Sequence, residues 1–210
     1  MVLNRTIDLP SAKKILSRGK FFAIIATCKF EKEALKVFSK KEKMILLENP
    51  ALENPKKSNE LDIKKVRGGF LVQSPGNKEI LEKNLKIVTK KKPEKEQIQD
   101  FLFAFKVAKV SKSNAIAIVK NQALISSGVG QQDRKRCCEL AVLKAGKRAF
   151  GAVAASDGFF PFPDGPKILA KAGVKAIAQP GGSIRDQDSI DLCNKYDIAM
   201  VFTGIRAFRH

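Results

Sequence analysis

The residues best suited to chemistry lie in the second half of the sequence. Asn114 begins the apolar run of NAIAIVKN, and an asparagine amide can donate and accept hydrogen bonds at once. It could hold a planar amide or amine of a ligand, whereas a turn or cap role is the ordinary alternative. The single histidine, His210, follows Arg206 in the terminal segment FTGIRAFRH. Imidazole titrates near neutral pH, so His210 is a candidate for a polar pocket, with a frayed chain end as the alternative.

Two glycine turns each lie between an apolar strand-like run and a helix-like run. In SSGVGQQDR, Arg134 could add a bidentate fork to backbone N–H groups that face an anion at a helix N-terminus. In IAQPGGSIRDQD, Gly182 and Ser183 occupy the equivalent place. A plain tight turn is the alternative for the first segment. For the second it is a capping box between Ser183 and Asp186.

The run SDGFFPFPDG, residues 156–165, concentrates phenylalanines among prolines. Proline lacks an N–H and fixes φ, so this run is excluded from a helix interior or a central strand. Taken by themselves, the residues indicate a hydrophobic corner beneath a loop.

The sequence gives little support for a metal site or for a catalytic nucleophile. One histidine and four scattered cysteines do not form a recognisable zinc site, and nothing in the sequence orients His210 as the base of a triad. The adjacent Cys137 and Cys138 fall within a predicted helix and are interpreted as packing residues. The absence of a CxxC pair favours a reduced compartment over a disulfide framework.

The formal net charge of +19 points to nucleic acid or to an anionic small molecule. The lysines are dispersed, and neither an RNA-binding sheet signature nor a basic heptad region occurs, so nucleic acid ranks last. The densest run, VTKKKPEKEQ at 88–97, predicts a solvated connector. No apolar run reaches the roughly 20 residues of a membrane helix, and the first residues lack a signal-peptide core. We therefore expect a cytoplasmic protein that does not bind membranes.

Strands and helices are predicted to alternate, which favours an α/β fold with a largely parallel or mixed sheet. In the first part we expect strands at 21–28 and 44–48, two further strands around Gly68 and Gly69, and a helix at 31–40. In the second part strands are predicted in NAIAIVKN, QALISSGVG, AVAASDG, VKAIAQ and DIAMVFTG, and helices at 94–110, in QQDRKRCCELAVLKAGKRA, at 166–172 and at 185–195.

Several of these segments, in this order, resemble the transformylase domain of the bifunctional AICAR formyltransferase/IMP cyclohydrolase family of purine biosynthesis. They are KSNAIAIVKN, GVGQQDR, ASDGFFPFPDG, IAQPGGSIRDQD and AMVFTGIRAFRH, with looser support from LNRTIDLPSAKK and LLENPAL. The resemblance implies a cytidine-deaminase-like three-layer fold, with a mixed sheet and helices on both faces. Residues 1–210 would be the second half of the transformylase domain, more divergent over 1–92 and motif-bearing over 93–210, without a cyclohydrolase domain.

The resemblance also implies roles for individual residues in formyl transfer from 10-formyltetrahydrofolate to the amine of the AICAR nucleotide, without a metal. The rigid rings of the phenylalanine run would then be flat walls for planar ligands. The catalytic residues would be Asn114 and His210. The nucleotide would be bound by Arg134, Phe159, Pro161 and Arg206, and the folate by Phe160, Asp164, Gly182 and Ser183.

Two departures from the family pattern shape the functional expectation. The family's Lys-His pair belongs to a KH-x-NPCG-like segment that is absent here, and Pro163 stands where an arginine is expected. We therefore expect a half-site that a partner chain carrying the Lys-His pair completes, in a hetero- or homo-oligomer. A non-catalytic nucleotide- or folate-binding regulatory module is the alternative, and a nucleic-acid-binding protein comes third.

Overall fold

A computed structural model describes residues 1–17, 22–55, 59–74, 76 and 78–209. The chain forms two compact units, Met1–Asn77 and Lys78–His210. The segment 78–92, which the sequence grouped with the divergent first part, thus belongs to the second unit. Within the described ranges, every helix is too short or too polar to cross a membrane.

The first unit contains a parallel strand pair, two helices and a separate hairpin. Strands β1 (Ile24–Thr27) and β2 (Ile45–Glu48) pair in parallel, and helices α1 (Leu9–Ser17) and α2 (Lys32–Phe38) accompany them. A 3-10 turn follows at Pro50–Leu52. The hairpin consists of β3 (Asp62–Val66) and β4 (Gly69–Gln73), which pair antiparallel.

The predicted strands and helix of this unit are confirmed with shorter ends, and residues 18–21 and 56–58 lie outside the described part. Helix α1 was not predicted. Its first turn is stabilised by Asp8, whose Oδ1 accepts a hydrogen bond from the Ser11 N–H at 2.9 Å. Leu9, Ala12, Ile15 and Leu16 stand at helical spacing, so the sequence carries an amphipathic signal for this nine-residue helix that the prediction did not use.

The second unit is built on a six-stranded mixed sheet with the order β5-β10-β9-β8-β6-β7. Strands β8, β9 and β10 run parallel, whereas β5, β6 and β7 pair antiparallel with their neighbours. The strands are β5 (Lys86–Ile87), β6 (Ile116–Lys120), β7 (Ala123–Gly128), β8 (Val153–Ser156), β9 (Ala176–Gln179) and β10 (Ala199–Phe202). The helices are α3 (Lys95–Val110), α4 (Arg134–Ala145), α5 (Asp164–Lys171) and α6 (Asp186–Lys195), with 3-10 turns at Glu82–Asn84 and Gly146–Ala149.

Alternating side chains place helices on both faces of this sheet. Ile116 and Ile118 of β6 belong to one buried cluster, which also contains residues of α4, α5 and α6. Ala115 and Ala117, one position out of phase, belong to a second cluster with Phe101 and residues of α3. This period of two is that of a strand buried on both sides. The predicted α/β fold with a mixed sheet and helices on both faces is therefore confirmed.

The start of the predicted solvated connector is anchored rather than free. The Val88 N–H donates to the Met200 carbonyl at 3.1 Å, and the Met200 N–H donates to Thr89 Oγ1 at 2.7 Å. Thr89 is 9% exposed. The segment is held because the outer edge of β10 has backbone groups that require partners, a need that charge composition does not reveal.

Candidate functional site

The candidate site lies at the edge of the sheet where the three parallel strands end. Strands β8, β9 and β10 end at Ser156, Gln179 and Phe202, and the segments that follow them contain the predicted site residues other than Asn114 and Arg134. Strand β6 runs antiparallel to β8, with Ile116 opposite Ser156, and this pairing brings Asn114 to the same edge. The carboxyl edge of parallel strands is the common location of ligand crevices in α/β proteins.

Two adjoining clefts open at this edge and share one wall. The first, about 290 Å³, is lined by Asn114 and Arg134 together with Gln132, Asp133 and Phe208. The second, about 410 Å³, is lined by Gly182, Ser183 and Arg206 together with Phe162, Ile184 and Arg185. Phe159 and Pro161 line both. Seven of the ten predicted site residues therefore lie around these two clefts.

The amide of Asn114 is held in one orientation. Its Nδ2 donates to the carbonyls of Gln131 and Gln132, at 2.8 and 3.0 Å, and its Oδ1 accepts from Arg134 Nη2 at 2.6 Å. Carbonyls only accept and a guanidinium only donates, so the positions of N and O cannot be exchanged. Both amide hydrogens are used by the protein. Asn114 can therefore offer a ligand an acceptor lone pair of Oδ1 but no free donor.

The guanidinium of Arg134 is paired with a buried carboxylate of the protein. Its Nη1 donates to Asp157 Oδ1 at 2.5 Å and to Ser156 Oγ at 2.8 Å. Arg134 is 8% exposed and Asp157 is fully buried. The anion that Arg134 holds in this structure is thus Asp157, and the charge available to a ligand from Arg134 is largely balanced.

Asp157 is the residue of this site that the sequence analysis missed. It sits between a strand and the phenylalanine run, in a Ser-Asp-Gly sequence that is typical of a turn. Its partner Arg134 is far away along the chain, so no local pattern indicates the pair. The available signal was a carboxylate directly before a rigid aromatic run.

The N-terminus of α4, where an anion was predicted to bind, is occupied by Asp133. Its Oδ1 accepts from the Arg136 N–H at 2.7 Å, as an N-cap residue does. The protein thus supplies its own negative group at the positive end of this helix.

The second glycine turn is closed in a similar way. Asp186 Oδ2 accepts from the Gly182 N–H at 2.7 Å and from the Ser183 N–H at 3.2 Å. Ser183 Oγ accepts from the Arg185 N–H at 3.1 Å. The capping interpretation of Ser183 and Asp186 is therefore partly correct, since only the Asp186 half of the box forms. These backbone donors are occupied, and the hydroxyl of Ser183 remains to meet a ligand in the second cleft.

The phenylalanine run places one ring in the shared wall, one beside the second cleft and one in the core. The Arg206 guanidinium lies 4.6 Å from the centroid of the Phe159 ring, and that of Arg185 lies 5.2 Å from the Phe162 ring. Cation–π stacking of this kind holds a cation while leaving its edge open. Within the described residues, Arg206 has no carboxylate partner. It therefore brings an unbalanced positive charge to the second cleft.

Phe160 faces inward, unlike the wall residues. It is 1% exposed and belongs to the buried cluster beneath α4 and α5. The Phe160 N–H donates to Gln179 Oε1 at 2.9 Å. A Cβ on Gly165 would lie 2.7 Å from the Phe160 ring, and this close approach shows how tightly the ring is enclosed. Its predicted ring contact with folate is not available here, because adjacent residues of an extended segment point to opposite sides.

Of the two remaining predicted site residues, the structure describes Asp164, which lines neither cleft. Asp164 begins α5, and its Oδ1 accepts from the N–H of Gly165 at 2.8 Å. It is half-buried and lines neither cleft, and Pro163 precedes it as the helix N-cap. His210 lies outside the described residues.

The tail that follows β10, residues 203–209, is fixed by hydrogen bonds along its length. The Thr203 N–H donates to the Gln179 carbonyl at 2.8 Å, and the Ala207 N–H donates to the Asp157 carbonyl at 2.9 Å. The Arg209 N–H donates to Ser113 Oγ at 2.9 Å, so the tail is ordered up to its last described residue. This segment carries Arg206 to the second cleft. The frayed alternative therefore does not hold for 203–209.

The cysteines of the second unit are packing residues. Burial raises the pKa of the Cys137 thiol to about 11 and that of Cys193 to about 12. Burial also raises the pKa of Cys138 well above its usual value. All three thiols are protonated at neutral pH and are poor nucleophiles. Among the described residues, no group of three His, Cys, Asp or Glu side chains could hold a metal ion.

A three-layer α/β unit with two clefts at its strand ends has the architecture in which open-sheet α/β proteins place their ligand crevices. The family described as AICARFT/IMPCHase bienzyme matches residues 1–144. The chain belongs to this family.

Curated relatives match nearly the whole chain. The bifunctional purine biosynthesis protein PurH of Acetivibrio thermocellus is 46% identical over 207 residues, covering 99% of this chain and 40% of that protein. The proteins of the same name from Oceanobacillus iheyensis and Dictyostelium discoideum are 44% and 41% identical, and 40% and 39% of their lengths are covered. The chain thus spans about two fifths of the relatives it matches.

Two solved structures of Acinetobacter baumannii RibD, form 2 and form 1, are similar at 21% identity, with TM-scores of 0.39 and 0.40. They cover 50% and 51% of this chain, and the alignments span 35% and 36% of those proteins. A likeness at this level supports no conclusion about fold, and the cytidine-deaminase-like label stays a prediction.

Proposed function

We propose that this chain is the second half of an AICAR formyltransferase domain with a cytidine-deaminase-like fold. In this role it binds the nucleotide and the folate on the two sides of one aromatic wall. The observation that supports this most directly is the pair of adjoining clefts that share Phe159 and Pro161. A transfer reaction needs two ligands in contact at a fixed distance, and a common rigid wall provides that alignment.

In the first cleft, Asn114 would hold the amine of the nucleotide. Its Oδ1 is aimed by Arg134 and by the carbonyls of Gln131 and Gln132, and it would accept a hydrogen bond from the amine N–H. An aromatic amine is a weak nucleophile, and an acceptor on its N–H directs the nitrogen lone pair and stabilises positive charge that develops on nitrogen.

In the second cleft, the ring of the folate would lie along Phe159 and Pro161, near Gly182 and the Ser183 hydroxyl. Arg206, stacked on Phe159, would supply positive charge for the anionic nucleotide at the boundary between the clefts. In the reaction the amine nitrogen forms a bond to the formyl carbon, the bond from that carbon to folate N10 breaks, and the amine proton leaves as N10 gains one.

The proton-transfer groups of this reaction would come from a second chain. The sequence contains one histidine, His210, and no Lys-His pair. We propose that His210 acts at the nucleotide site, as the family resemblance implies, and that a complementary chain supplies the Lys-His pair. The co-substrate would be 10-formyltetrahydrofolate, and the reaction would need no metal.

Binding and turnover test the proposal separately. Calorimetry should detect AICAR and a folate analogue bound to the purified chain, and Asn114→Ala should weaken AICAR binding while Asn121→Ala leaves it unchanged. Formyl transfer should appear only when a chain with the Lys-His pair is added. Binding without turnover with any complementary chain would favour the regulatory module, and absence of AICAR binding would refute the proposal.

A further inference from the structure

A buried carboxylate connects the first cleft to the tail. Asp157 is fully buried, and each of its carboxylate oxygens accepts from a different side chain: Oδ1 from Arg134 Nη1 at 2.5 Å and Oδ2 from the Ser113 hydroxyl at 2.7 Å. We propose that Asp157 is a positioning residue that couples docking of the tail, residues 203–209, to the orientation of Asn114. This inference rests on the proposed nucleotide site.

One arm of the connection reaches the cleft. From Asp157 the hydrogen bonds continue through the guanidinium of Arg134 to Asn114 Oδ1 at 2.6 Å. Arg134 is planar, so a shift of the end held by Asp157 moves the end that bonds Asn114. The acceptor that Asn114 offers a ligand therefore depends on where Asp157 holds Arg134.

The other arm reaches the tail through Ser113. The Ser113 N–H donates to the Arg209 carbonyl, and Ser113 Oγ accepts from the Arg209 N–H, both at 2.9 Å. Ser113 therefore binds both backbone groups of Arg209. The backbone carbonyl of Asp157 accepts from the Ala207 N–H at 2.9 Å as well. The tail is thus tied to the same residue by a side-chain route and by a main-chain bond.

Arg134 and the tail residue Phe208 also pack closely against the same stretch of backbone. A Cβ on Gly158 would lie 2.5 Å from Arg134 Nη2 and 2.6 Å from a ring carbon of Phe208. Arg134 and the Phe208 ring therefore both lie against the backbone directly after Asp157, and both line the first cleft. A ligand that fixes Asn114 and Arg134 would stabilise the docked tail, and by linkage the docked tail would strengthen ligand binding.

Ser113→Ala removes the two hydrogen bonds of the Ser113 hydroxyl, one to Asp157 and one from the Arg209 N–H, and leaves the main-chain bonds and the Arg134–Asp157 pair in place. Ser111→Ala is the matched control, because Ser111 follows the end of α3 and its hydroxyl donates back to the Val107 carbonyl of that helix at 2.7 Å. We expect Ser113→Ala to weaken AICAR binding about tenfold and to speed amide exchange of Ala207 about tenfold, the size of one charge-assisted hydrogen bond. Ser111→Ala should change both by less than about twofold. Ala207 is informative because its own acceptor, the Asp157 carbonyl, is not mutated.

Two further readouts separate this inference from the proposed function. In the wild-type chain, AICAR should slow exchange of the Ala207 amide, and Ser113→Ala should abolish that effect. The Asn114 side-chain amide signals in the NMR spectrum should shift in Ser113→Ala without any ligand. If the wild type does not bind AICAR, the proposed function fails. The Asn114 signals in Ser113→Ala would still test whether docking of the tail is coupled to the orientation of Asn114. Unchanged AICAR affinity and unchanged Asn114 signals in Ser113→Ala would overturn the inference.

Discussion

Removing the charge of Arg134 should destabilise the second unit strongly. Arg134→Met fills similar space but leaves the carboxylate of Asp157, which is fully buried, without its cation. Among the described residues, the Ser113 hydroxyl would be the one side-chain donor left to it. Breaking a buried pair by removing one partner costs about 3–5 kcal/mol, and we expect a loss in this range.

The double substitution should recover part of that loss. Asp157→Asn alone leaves an uncompensated guanidinium, which borders the first cleft where water can reach it, so its cost should lie at the low end of the same range. In Arg134→Met/Asp157→Asn both charges of this buried pair are removed. The double variant should therefore lose at least about 2 kcal/mol less than the sum of the single losses.

Intrinsic fluorescence is a selective assay for this measurement. The sequence contains no tryptophan and one tyrosine, Tyr196, which caps the end of α6 in the second unit. Urea unfolding followed at tyrosine emission thus reports the second unit without a contribution from the first. Losses that add within about 0.5 kcal/mol would mean that the two residues do not interact, and the account of the site would be refuted.

Three further outcomes are expected. Gly158→Ala should raise the dissociation constant of AICAR more than about tenfold, because a Cβ there would lie 2.5 Å from Arg134. Gly69→Ala, which places its Cβ in open space, should leave the constant unchanged, and equal effects of the two substitutions would contradict the steric argument. Phe159→Leu should weaken AICAR and folate-analogue binding together, each by about tenfold in calorimetry, and a loss confined to one ligand would contradict a shared wall. Because burial raises the pKa of Cys193 to about 12 from an unfolded value near 9, the folded state keeps a proton that the unfolded state loses, and stability should fall as pH rises above 9. The melting temperature of Cys193→Ala should therefore fall less than that of the wild type between pH 8 and 10.5, and parallel curves would contradict this.

Hydrophobic periodicity was sufficient to predict most of the fold. The apolar face around Phe101 and Phe105 predicted α3 nearly to its ends, and the short buried runs of the second unit became β6, β8, β9 and β10. The two-residue strand β5 was not predicted, since so short a segment carries no period. It exists because β10 needs a hydrogen-bonding partner at its outer edge, which depends on sheet order rather than on local sequence.

The site was predictable as a set of residues but not as a network. Glycine turns, a rigid aromatic run, a terminal arginine and an asparagine at the start of a strand indicated the seven predicted residues that line the two clefts. Which of two adjacent phenylalanines faces the cleft depends on the direction of the chain after β8, and this separates Phe159 from Phe160. The partners of Arg134 also come from tertiary structure, because Asn114 and Asp157 are distant from it along the chain. Local sequence could therefore suggest an anion-binding arginine but could not identify the internal carboxylate that balances it.

The wall formed by Phe159 and Pro161 belongs to both clefts, and this constrains how the protein can change. A substitution there that excludes an inhibitor from one cleft also reshapes the other, so it would affect any ligand of either cleft. Substitutions could change the shape of one cleft without changing the other only at residues that line a single cleft, such as Ile184 or Gln132. Variation that arises under inhibitor pressure should accumulate at those outer positions and spare the shared wall.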